Sequence, residues 1–212
     1  MANLLQSFLF VGKGMGVTLQ ILSGGLCMGV VIGACAAALR HQNMFACVIN
    51  RFVSIIRGTP LLLQLAFVYF VLPGFLPVKL SVVAAGIFTF GLNSSAYIAE
   101  ILRAGIESIP KGQFEAAQTL KIPVYYMWKD IIFPQVLKNI LPSMVGEVIA
   151  LLKETALIAT IGGMDIMRSA QVLAAQEFTY FTPLCIAGVY YYGCVLLIEY
   201  VGKRLEQRFS VC

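Results

Sequence analysis

An all-α integral membrane protein with five membrane-crossing helices, forming one domain over residues 1–212, is the fold class this sequence predicts. Three observations predict it. Of the 212 residues, 59% are hydrophobic and 12% are charged, against roughly 25% charged in a soluble domain. Four stretches, 14–39, 58–78, 80–99 and 178–198, carry no Asp or Glu, and each reaches the ~20 residues that a helix needs to cross a ~30 Å hydrocarbon core. A fifth stretch of the same length, 139–163, is interrupted by Glu147, Lys153 and Glu154. Backbone polar groups find no water in lipid, so each crossing must be helical. The expected spans are about 14–39, 58–78, 80–102, 139–163 and 178–200, with a polar loop at 103–138.

The first apolar run exceeds the 7–15 residues of a signal-peptide core, so it reads as a retained helix. Gly25, Gly29 and Gly33 recur every four residues and place one face of that helix ready for close backbone approach. Between Arg40 and Arg57, the apolar residues Phe45, Val48, Phe52 and Ile55 follow helical spacing, as expected of an amphipathic elbow in the interface. Arg57-Gly58-Thr59-Pro60 opens the second span, with Thr59 as cap and Pro60 in the first turn. Pro73-Gly74 and Pro77 predict a tight turn before the third span. There Asn93, Ser94 and Tyr97 share a face, and Glu100 and Arg103 are spaced to pair.

The basic residues orient the chain. With the 103–138 loop in the cytoplasm, five spans place eleven Lys and Arg inside: Arg40, Arg51, Arg57, Arg103, Lys111, Lys121, Lys129, Lys138, Lys203, Arg204 and Arg208. Lys13, Lys79 and Arg168 fall outside, and Lys153 falls within the membrane. This obeys the positive-inside rule, with the N-terminus out and the C-terminus in. The charge of +5 is therefore a topology signal; no basic patch is interleaved with aromatics, which argues against nucleic acid. The six cysteines show no metal or redox spacing, and the single histidine, His41, has no nucleophile or metal partner beside it. An enzyme is not expected, nor is bound metal.

Charged residues inside a membrane span cost at least ~2.5–3.5 kcal/mol and are functional candidates by default. Ser143, Glu147, Ala150 and Glu154 fall on one stripe of the fourth span, flanked by Lys153 and Thr155. Such a wall carries both signs of charge and suits a polar or cationic amino acid. The candidate path residues are Asn93, Ser94, Tyr97, Ser143, Glu147, Lys153, Glu154 and Thr155. The alternative is a buried Lys153–Glu147 or Lys153–Glu154 pair that holds no ligand.

The polar loop predicts a short helix at 113–120, since Glu115, Ala116, Ala117, Gln118 and Leu120 are good helix formers. Ala116 and Ala117 would give it a face nearly free of side chains. Tyr125, Tyr126, Met127 and Trp128 form a cluster suited to the membrane boundary. Glu115-Ala116-Ala117, followed by Ile131 and Pro134, resembles the signature loop of the membrane-spanning subunits of ATP-driven, binding-protein-dependent importers, most closely their polar amino-acid permeases. Two positions depart from it: Lys121 stands where glycine is usual, and Phe133 where leucine is usual.

The resemblance implies that Gln113, Phe114, Glu115, Ala116, Ala117, Gln118, Leu120 and Lys121 couple to an ABC ATPase subunit. It also implies an external solute-binding protein and a second permease copy, identical or a sister chain, in a bacterial inner membrane. The sequence holds no Gly-x-x-x-x-Gly-Lys-Ser/Thr phosphate loop. ATP and Mg would be used by the partner, with no cofactor on this chain. An ion-coupled carrier or a channel subunit is the competing class; internal repeats, broken helices and filter-like stretches that would favour it are not evident.

Overall fold

The computed structural model describes residues 4–42, 44–75 and 79–210, the side chains of 209 and 210 excepted. Its helices, in order, are α1 (Leu4–Gly12), α2 (Met15–His41), α3 (Ala46–Gly58), α4 (Leu61–Ala66), α5 (Leu72–Phe75), α6 (Val82–Glu107), α7 (Lys111–Thr119), α8 (Val124–Tyr126), α9 (Phe133–Glu154), α10 (Ile166–Glu177) and α11 (Phe181–Ser210). Wider π-helical turns at Phe67–Val71 and Met127–Ile132 join α4 to α5 and α8 to α9, and a tighter 3₁₀ segment, Thr155–Ile161, extends α9.

Among the described residues, three helices are long and apolar enough to cross a membrane: Leu4–His41, Val82–Glu107 and Phe181–Arg208. A fourth candidate is the pair Ala46–Gly58 and Leu61–Phe75, bent by 102° at its break. The expected elbow is thus the helix α3. The bend has a local cause: Thr59 precedes Pro60, whose ring excludes the helical conformation at that residue, and Thr59 is extended at φ −119° and ψ 143°. The Thr59 hydroxyl does not cap α4, as the sequence had suggested; it donates back to the carbonyl of Ile55 at 2.9 Å. Pro73 and Gly74 lie within α5 rather than in a turn, whereas Pro77 is outside the described residues.

The expected 139–163 span is also not one helix. α9 ends at Glu154, the backbone tightens to 3₁₀, and Gly162 reverses it at φ +88°, a conformation that glycine adopts without penalty. α10 then occupies part of the interval between the last two expected spans. Asp165 starts it, accepting a hydrogen bond from the backbone N–H of Arg168 at 2.8 Å. The buried Asp165 carboxylate also receives the Tyr191 hydroxyl at 3.1 Å, tying α10 to α11.

At the centre, α2 lies along α6. A Cβ on Gly29 would sit 2.9 Å from the Cβ of Ser94, and one on Gly33 2.8 Å from the carbonyl oxygen of Ser95. The glycine face anticipated on the first span is this seam. α3, α4 and α9 pack on other sides of α6, bringing its polar residues into register with them.

Candidate functional site: a polar seam and a coupling helix

Two groups of residues stand out. The first lies along α6. Ser94 donates to a carboxylate oxygen of Glu147 at 2.7 Å, joining α6 to α9. One residue earlier, Asn93 donates to the side-chain oxygen of Gln64 at 3.3 Å. The amide nitrogen of Gln64 serves the Ile56 carbonyl at 2.8 Å and the Thr59 hydroxyl at 2.9 Å, stapling the α3–α4 corner. One turn beyond Ser94, Tyr97 lies beneath the guanidinium of Arg57, 5.1 Å from its ring centre.

Glu100 follows, where the carboxylate gathers three arginines. It pairs with Arg103 at 2.9 Å, as the spacing predicted, but also with Arg40 of α2 and, at 3.7 Å, with Arg57 of α3. Arg103 bridges onward to Glu107. A cavity of about 630 Å³ opens here, lined by Arg57, Tyr97, Glu100 and Arg103 and, from α9, by Asn139 and Ser143.

The structure therefore brings together Asn93, Ser94, Tyr97, Ser143 and Glu147 at one seam. The other candidates behave differently. Lys153 is exposed, and among the described residues it makes no ion pair with Glu147 or Glu154 within 4.0 Å, so the ligand-free pair considered from sequence does not form. Glu154 is half-buried and, among the described residues, has no basic group within 4.0 Å. Thr155 is buried and its hydroxyl is committed to the Leu152 carbonyl at 2.6 Å. The basic groups that face the cavity are Arg57 and Arg103. Gln64, Arg40 and Arg57 were missed as site residues; the only signal for Gln64 was a lone amide in an otherwise apolar stretch.

The second group is α7. It starts at Lys111, two residues before the expected helix, and ends at Thr119. Phe114 and Ala117 turn inward: Ala117 is 2% exposed among Ile109, Met127, Ile132, Val136 and Ile140. Gln113, Glu115, Ala116, Gln118, Leu120 and Lys121 are exposed. The small face thus consists of Gly112 and Ala116, one turn apart, rather than of Ala116 and Ala117.

Lys121 explains itself. The Ile122 N–H bonds the Ala117 carbonyl at 3.0 Å, and the Lys121 N–H bonds that of Gln118 at 2.9 Å. These are the two bonds of a Schellman cap, and Lys121 holds its left-handed position at φ +55°. Glycine is favoured there because it has no Cβ; lysine takes the same turn at a cost of about 1 kcal/mol. Trp128 meets Phe114 edge-on at 6.1 Å and His41 at 5.0 Å, linking α7 to the end of α2.

A family model described as the inner membrane component of binding-protein-dependent transport systems matches residues 29–211. The chain belongs to that family. Among its relatives, the putative glutamine transport system permease protein of Rickettsia typhi is 45% identical, over 96% of this chain and 94% of that protein. The arginine transport system permease protein of Bacillus subtilis is 41% identical, over 95% and 93%. A crystal structure of an amino acid ABC transporter with histidines superposes with a TM-score of 0.89 at 32% identity, covering 98% of this chain and 99% of that one. The polar seam and α7 both fall within the matched residues, so they are parts of a permease subunit.

Proposed function

We propose that this chain is the permease subunit of an ATP-driven importer moving a polar or basic amino acid of the arginine, glutamine or histidine class. In this reading, an external solute-binding protein delivers the substrate and two permease chains, identical or sisters, form the path. Five crossings put the N-terminus outside and the C-terminus in the cytoplasm: the three long spans, the bent α3–α5 pair, and α9 with its 3₁₀ extension. ATP and Mg are handled by the partner ATPases.

The observation that carries the reading is the placement of α7. Its outward face bears Gly112 and Ala116, small enough to seat in a cleft, with Glu115 beside them, while its inward face packs on the Met127–Ile132 turn that leads into α9, in one buried cluster with Val136 and Ile140. A partner gripping α7 would therefore move α9 through the Met127–Ile132 turn, and α9 carries Glu147. Motion at the cytoplasmic surface reaches the membrane interior through packed side chains rather than through a flexible tether. The Glu147 carboxylate, presented by Ser94, would receive a substrate ammonium, with Arg57 and Arg103 farther along to attract its carboxylate. Glu154 and Lys153 complete the proposed route at the other end of α9.

Vesicles reconstituted with the chain, its ATPase and its capture protein are expected to take up amino acid only when ATP is present. Competition by arginine, glutamine and histidine would rank the substrates. Glu147→Ala should cut uptake at least tenfold; unchanged uptake and selectivity would remove Glu147 from the path. Uptake by the chain alone would favour a carrier instead.

A further inference from the structure

The face of α9 turned away from Glu147 forms a second cavity with α11. It has a volume of about 380 Å³ and no polar surface. Leu141 and Val148 mark its extent on α9, and Leu197 and Leu205 mark it on α11. Its floor is the helix crossing at Gly202, where an added Cβ would sit 2.7 Å from a methyl of Val145 and force that side chain to shift. At 3.6 residues per turn, Leu141, Val145 and Val148 lie on nearly the opposite side of α9 from Ser143, Glu147 and Glu154. The groove therefore turns away from the proposed path and toward the surroundings of the protein.

Its mouth is basic. Lys138 lies one turn before Leu141, and Arg208 one turn beyond Leu205 on the same stripe of α11. Both are exposed, and among the described residues neither has a carboxylate within 4.0 Å. Arg204 flanks them, donating to the Tyr200 hydroxyl at 3.0 Å and lying over that ring. Glu199 and Glu206 lie one turn to either side of Gly202, and among the described residues neither comes within 4.0 Å of Lys138 or Arg208. An apolar slot that opens between two cations without an ion-pair partner among the described residues matches one kind of occupant in a membrane: an acyl chain below an anionic head group.

We infer that the α9–α11 groove is a binding site for an anionic phospholipid. The acyl chain lies in the slot over Gly202, and the phosphate sits between Lys138 and Arg208. The inference goes beyond the transport reading and does not depend on the substrate or on the direction of transport.

Delipidated full-length chain, titrated in detergent with phosphatidylglycerol or phosphatidylcholine and followed by native mass spectrometry, tests it. Phosphatidylglycerol should be retained at about tenfold lower concentration than phosphatidylcholine. Each basic residue raises attraction to anionic lipid by about fivefold. The double variant K138Q/R208Q should thus weaken phosphatidylglycerol retention at least fivefold while leaving phosphatidylcholine unchanged, which also reports that the variant is folded. Equal retention of the two lipids, or a double variant like the parent, would overturn the inference. A photo-crosslinking side chain placed at Leu205 in native membranes distinguishes the occupant. A mass increase of one phospholipid supports the site; a chain-to-chain adduct shows that a second copy fills the groove and overturns it.

Discussion

α6 and α11 are two helices of nearly equal apolar character, with mean hydropathies of 1.5 and 1.7 over their best membrane-spanning windows. Their surroundings differ sharply. In α6, 61% of that window is buried inside the chain; in α11, 17% is. Lipid is as apolar as leucine, so hydropathy cannot tell a helix wrapped in protein from one facing lipid. Small and polar side chains can. α6 carries Gly91, Asn93, Ser94 and Ser95, all buried, where α2 approaches and where α4 and α9 supply partners. α11 presents Tyr192, Leu196, Leu197 and Tyr200 outward, each more than 45% exposed.

This difference can be broken by mutation. The largest effect is expected at the α2–α6 seam. Gly33→Val forces a branched side chain against the Ser95 carbonyl and should cost about 3 kcal/mol, seen as loss of monodisperse protein on size-exclusion chromatography. Next comes the ion cluster. Glu100→Gln leaves Arg40, Arg57 and Arg103 without their shared carboxylate and should cost about 2 kcal/mol, measured as a lower thermal midpoint in detergent.

A smaller change of opposite sign belongs to the coupling loop, which is capped locally and independently of the seam. Lys121→Gly relieves the left-handed position and should raise stability by about 1 kcal/mol, or about 2–4 °C in thermal midpoint. A fall would show that the lysine side chain makes a compensating contact. The smallest effect is expected on α11: Leu197→Ala, 64% exposed, should change the midpoint by less than about 0.5 kcal/mol. A large loss there would mean that a protein surface, not lipid, covers α11.

Local features were legible in the sequence. The Glu100–Arg103 pair needs only helical spacing, and the helix in the polar loop needs only good helix formers between Pro110 and Lys121. The glycine repeat announced a close contact without naming its partner. The bends were harder. Pro60 predicted a helix start, and the Thr59-Pro60 step breaks the helix there, but neither the 102° angle nor the Gln64 amide that spans the corner to Ile56 could be read from that spacing. The charges of α9 stood out in the sequence, but α10 escaped, although Asp165 followed by a helical pattern is a recognisable start signal. Ala116 and Ala117 read as one face only until the buried cluster beneath α7 turned Ala117 inward.

Composition by itself determined that this chain lives in a membrane, because too few charged groups exist to clothe it in water. The loop spacing by itself pointed to a permease. Only the tertiary structure decided which polar groups meet: Ser94 with Glu147, Asn93 with Gln64, and Glu100 with arginines from three helices. The physical reason is sequence separation. Spacing along one helix specifies a face, but the partner opposite that face is set by how closely backbones can approach, and that depends on packing between segments tens of residues apart.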